Sequence, residues 1–83
     1  MTSVAELRFL LAEVKVRLGE ARGSVNTARA RLDEAATLFE DLAEVHGDSV
    51  VPPALAGARK ALDDLAPLLG AGDVAVDDLD ARL

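Results

Sequence analysis

Residues 46–53, His46-Gly47-Asp48-Ser49-Val50-Val51-Pro52-Pro53, are the one place where the chain has to interrupt a regular pattern. Gly47 suits the left-handed conformation that ends a helix. Asp48 or Ser49 can cap a new helix, and Pro52 and Pro53 suit its first turn, where backbone N–H groups have no intrahelical acceptor. The stretch therefore reads as a helix stop, a short turn and a helix start.

The pattern on either side supports this. Steps of alternating three and four residues from Val4 reach Leu7, Leu11, Val14, Leu18, Ala21, Val25, Ala28, Leu32, Ala35, Phe39, Leu42 and His46, twelve of the thirteen being apolar. After the turn the same steps run from Val51 through Leu55, Ala58, Leu62, Leu65, Leu69, Gly72, Val76 and Leu79 to Leu83. A 3.5-residue repeat sustained in this way marks helices whose seams stay against partner helices. Gly19 and Gly23 each cost roughly 1 kcal/mol relative to Ala, yet the register passes through them unshifted. One long helix is expected, because Gly23-Ser24 is too short a link for a reversal.

The expected fold is all-α: a single domain over 1–83, with a long helix at about 3–46, a turn at 47–51 and a second helix at about 52–83. The two form an antiparallel helical hairpin. Pro67 and the Gly70-Ala71-Gly72-Asp73 stretch predict a kink or break at 67–73, with a bent continuous helix preferred to a separate terminal one.

Composition narrows the functions available. The 83 residues are 51% hydrophobic but only 2% aromatic, without Cys, Trp or Tyr and with one His. Disulfides, thiolate zinc sites and a His-rich metal cluster are thus excluded, and an aromatic stacking platform has almost no material. The net charge of −6 argues against nucleic acid as a partner. The apolar run Phe9-Leu10-Leu11-Ala12 is too short and too closely flanked by charge for a leader or a membrane span. A cytoplasmic location is expected, with secretion lacking a signal peptide as the alternative.

Charge is unevenly distributed. Residues 1–31 hold six Lys/Arg against three Glu, whereas residues 32–83 hold three Lys/Arg against twelve Asp/Glu. Arg8, Lys15, Arg22 and Arg29 recur every seven residues beside the first seam, and Arg59, Asp73 and Asp80 lie beside the second. A fold about residues 48–50 predicts Arg22 and Arg29 near Asp73, and Lys15 and Arg22 near Asp80, contacts that select antiparallel orientation.

No chemical site emerges. His46, Asp48 and Ser49 are residue types of a hydrolase triad, but they stand too close on one turn to form its hydrogen-bond relay, and they already account for a cap and a turn. Asp77, Asp78 and Asp80 lack the glycine and spacing of a calcium loop. The chain is read as non-enzymatic and without cofactor.

The helices are unequal, about 43 and 30 residues, so the first two turns of the longer one are expected to lack a full intrachain partner. Leu7, Phe9, Leu10, Leu11, Val14, Val16 and Leu18 form the predicted interface, with Phe9 and Val16 pointing away from the seam. Leu10, Leu38, Val45 and Leu68 occupy flanking positions usually left polar in a two-stranded coil, as in a bundle helix. Self-association into a four-helix bundle is the simplest reading, with another helical protein as the other possible occupant. The expected function is protein–protein interaction, as adaptor, scaffold or small regulatory partner.

An Ala-rich hairpin with a turn near its middle resembles the ESX-type secreted proteins of actinobacteria. That resemblance, which covers the whole chain as architecture, implies dimers of helical hairpins that act through partners. HGDSVVPP stands where that family has Trp-x-Gly, and the chain has no Tyr for the family's tail motif.

Overall fold

The computed structural model describes residues 2–47 and 51–83. It contains two helices, α1 (Val4–His46) and α2 (Pro53–Arg82), packed as a hairpin 66 Å long and 17 × 15 Å across. Ser3 caps α1: its Oγ accepts the N–H of Glu6 at 3.1 Å. Ser3 and Glu6 have the Ser-x-x-Glu spacing of a capping box, a start signal that the heptad count does not contain. At the other end Gly47 adopts φ 80°, and its N–H donates to the Ala43 carbonyl at 2.7 Å. This is the left-handed cap expected of it.

α1 runs unbroken through Gly19 and Gly23, and α2 through residues 67–73 with Pro67 inside it, so no separate terminal helix forms. The N-cap position of α2 is Pro52, which has no side-chain capping bond. Asp48 and Ser49, the expected caps, lie outside the described residues, as does the side chain of His46.

The register differs from the expected one. Lys15 pairs with Asp77, Arg29 with Asp63 and Arg59 with Asp33. Each pair is symmetric about residue 46, not 48–50, which carries α2 almost one heptad further along α1. A slip of this size keeps the apolar rows in phase, so charge is free to choose between registers. In the observed register five basic–acidic pairs bridge the helices; a fold about 48–50 leaves Arg8 beyond the end of α2.

The slip also relocates the unpaired length of α1. Arg8 already meets Asp80 at 3.8 Å, so the overhang at the amino-terminal end is shorter than two turns. The surplus is transferred to the turn end, where Val45 is 80% exposed.

Within the hairpin, the two rows of each seam are not equivalent. On α1 the row Leu11, Leu18, Val25, Leu32 and Phe39 faces α2, and on α2 the row Leu55, Leu62, Leu69, Val76 and Leu83 faces back. All of these are half-buried except Val25, which at 7% exposure is the only buried side chain among the described residues. Leu7, Val14 and Leu42 of the other α1 row, and Leu65 and Leu79 of the other α2 row, remain exposed. The helices are therefore rotated so that one seam row from each is centred on the intrachain contact, while of the second rows the small residues Ala21, Ala28, Ala35 and Gly72 are half-buried and the larger ones turn outward.

Candidate interaction surface

The two flanks of the hairpin differ in chemistry because they carry different heptad rows. On one flank lie the bridges Arg8–Asp80, Lys15–Asp77, Arg22–Asp73 at 3.1 Å, Arg29–Asp63 at 2.9 Å and Arg59–Asp33. The small residues Ala36, Ala43 and Ala66 are half-buried among them. Lys15 is held above its ordinary value of 10.5, chiefly by its hydrogen bond to Asp77, with Asp77, Asp73 and Asp80 adding favourable charge against the cost of desolvation.

Of the five residues expected to pair across the hairpin, Arg22 and Asp73 meet each other. Lys15 meets Asp77 instead of Asp80, Arg29 meets Asp63 instead of Asp73, and Asp80 takes Arg8. The register slip explains each exchange. Asp33, Asp63 and Asp77 were legible as partners on a different ground: each directly follows an inward-facing residue, in Leu32-Asp33, Leu62-Asp63 and Val76-Asp77. That placement turns their carboxylates toward the same flank.

The opposite flank has none of these bridges. Leu10, Leu38 and Val45 of α1 belong to one seven-residue row, in which Arg17, Ser24 and Arg31 stand between Leu10 and Leu38, and Leu68 of α2 belongs to the row facing it. Leu38 is 65% exposed and Leu68 67%. These residues adjoin the outward seam rows, so Leu10 with Val14, Leu38 with Leu42, and Leu65 with Leu68 make one apolar face shared by both helices. Ala54, Ala61 and Ala75 continue the α2 side of it. Alanines are half-buried on both sides of the contact, Ala36, Ala43 and Ala66 on the ionic flank and Ala21, Ala28 and Ala35 in the second α1 row, while leucines and valines stand in the open.

The predicted interface residues thus fall into three groups. Leu11 and Leu18 belong to the intrachain contact. Leu7, Leu10 and Val14 stand on the shared apolar face, where Leu10, Val14 and Leu18 border a shallow groove with Glu13 and Arg17. Phe9 and Val16 lie on the back of α1, about 200° from Leu11 and Leu18 by helix geometry. Phe9 is 70% exposed there.

Among the described residues, no group of three His, Asp or Glu has the spacing to hold a metal ion, and no helix is long and apolar enough to cross a membrane. No family model, curated protein or solved structure matches the chain.

Proposed function

We propose that this protein is a non-enzymatic interaction module that works as a homodimer, two hairpins stacking their shared apolar faces into a four-helix bundle. One observation carries the reading: Leu7, Val14, Leu42, Leu65 and Leu79 of the second seam rows and the adjoining Leu10, Leu38, Val45 and Leu68 are exposed, while among the described residues Val25 alone is buried. A hairpin with one buried side chain among its described residues has too little interior for stable folding. A second copy supplies the missing half.

The dimensions agree. The face lies along a hairpin 66 Å long and 17 Å wide, whose whole side has an outline on the order of 1,000 Å², so most of that side must be covered to reach the roughly 800 Å² per partner of a standard stable interface. Arg17 and Arg31 interrupt the α1 side of the face, and each is bridged within α1, to Glu20 at 3.2 Å and to Glu34 at 2.9 Å, so an identical copy meets locally neutralised cations and not unpaired like charge. The role of such a module is to present helical surfaces to other proteins.

The test is the concentration dependence of thermal unfolding. Folding coupled to dimerisation gives a Tm that rises steadily with protein concentration. A Tm unchanged over a hundredfold concentration range contradicts the proposal.

A further inference from the structure

We infer that each hairpin carries a second docking surface, on the back of the amino-terminal half of α1, and that its occupant is a single amphipathic helix of another protein with Lys or Arg along one edge. Ala5, Phe9, Ala12, Val16, Gly19 and Gly23 repeat at four and three residues, a helix-packing stripe separate from the seam. Phe9 and Val16 stand exposed on it and line a groove with Ala12, Glu13, Glu20 and Arg17, the last held by its bridge to Glu20. The hairpin contact points elsewhere, and the proposed dimer face adjoins the stripe only along Glu13 and Arg17, leaving Phe9 and Val16 uncovered.

The glycines give a second line of argument. A Cβ at Gly19 or Gly23 would meet nothing within 4 Å. Each glycine inside a helix costs roughly 1 kcal/mol relative to Ala, and no packing within the hairpin requires that loss; Gly57 and Gly70 of α2 are equally open, so it is the place of Gly19 and Gly23 on the stripe that counts. Both sit one and two turns beyond Val16 on the same stripe, where a missing side chain lets a partner backbone come close. Phe9 then serves as the anchor at one end and the glycines as the close contact at the other.

The edges define the occupant's charge. Glu6, Glu13 and Glu20 recur every seven residues along one edge. Among the described residues Glu20 is bridged by Arg17 at 3.2 Å, while Glu6 and Glu13 enter no ion pair. Arg8, Lys15 and Arg22 lie along the other edge and are already bridged to Asp80, Asp77 and Asp73. The surface therefore offers unspent negative charge on one side and neutralised charge on the other, which selects a helix with a basic edge. A second copy of this chain lying antiparallel would set the acidic edge against its own.

The experiment is a selection on the full-length protein from a displayed library of three-heptad amphipathic helices. Their apolar rows are fixed and their edge positions are drawn from Lys, Glu and Gln. Binders enriched in Lys along one edge are expected. Their affinity should fall by about tenfold or more with Phe9→Glu or Val16→Ser. It should also fall with Gly19→Ala, a change that raises helix stability and so separates docking from folding. Absence of binders, equal recovery of Glu or Gln edges, or affinity indifferent to all three substitutions overturns the inference. The mass of the unliganded protein is measured in parallel: it should not change with Phe9→Glu, and a fall to the monomer would show that this stripe serves self-association instead. Because the dimer face is elsewhere, failure of one proposal leaves the other readable.

Discussion

Leu18 of α1 lies directly over Gly72 of α2, its Cδ1 and Cδ2 each 3.7 Å from the place a Cβ on residue 72 would occupy. That distance is ordinary van der Waals contact, so a methyl group fits without displacing the leucine. Replacing Gly72 by Ala removes a helix-interior glycine and adds a contact in the seam. Gly72→Ala is expected to stabilise the protein by roughly 0.5–1 kcal/mol, measured by urea unfolding. Leu18→Ala should cost about 1–2 kcal/mol, less than a fully buried leucine because Leu18 is half-buried.

Gly47 is the one described residue with positive φ, at 80°, and a Cβ there would meet no neighbour. The effect of substitution is therefore conformational and not steric crowding. Gly47→Ala should destabilise by about 1–2 kcal/mol through the left-handed backbone, whereas Gly47→Asn should recover part of that loss. Chemical denaturation of the three proteins checks the order.

Arg22 and Asp73 make the most sheltered of the interhelix bridges, with the Asp73 side chain only 24% exposed. Asp73→Asn is expected to cost up to about 1 kcal/mol, and the exchange of both residues, Arg22→Asp with Asp73→Arg, to restore part of it. A double-mutant cycle by urea unfolding gives the coupling. Zero coupling would mean that this bridge adds nothing to the pairing of the two helices.

Lys15 contributes in a defined pH window. Its folded-state value lies above the ordinary 10.5, so its stabilisation is fully present below 10.5 and is lost as pH rises through the folded value. The difference in Tm between the wild type and Lys15→Met should thus hold constant from about pH 7 to pH 10 and shrink at higher pH. A difference that grows across that upper range would contradict the assignment.

The hairpin was legible because its causes are local and periodic. The repeat from Val4 to Phe39 survives Gly19 and Gly23, and Gly47 announces its own backbone conformation. The register was not legible, because a heptad slip leaves every apolar row in phase. Only the placement of Asp33, Asp63 and Asp77 separates one alignment from the next. The interface was half legible: exposure of Phe9, Leu10 and Val14 follows from their number and position. Their division between two surfaces depends on how far the helices rotate about their axes, and a repeat of apolar residues does not state that angle. The resemblance to ESX-type proteins rests on the same two-helix outline and involves no matched residue.

The most direct measurement is the mass of the protein in solution by sedimentation equilibrium, for the wild type and for Leu68→Glu and Leu38→Glu. The account predicts twice the 8.7 kDa chain mass for the wild type, and loss of the dimer in both variants, whose substitutions stand on the shared apolar face. A wild-type protein that sediments at 8.7 kDa while fully helical and cooperatively folded would contradict it.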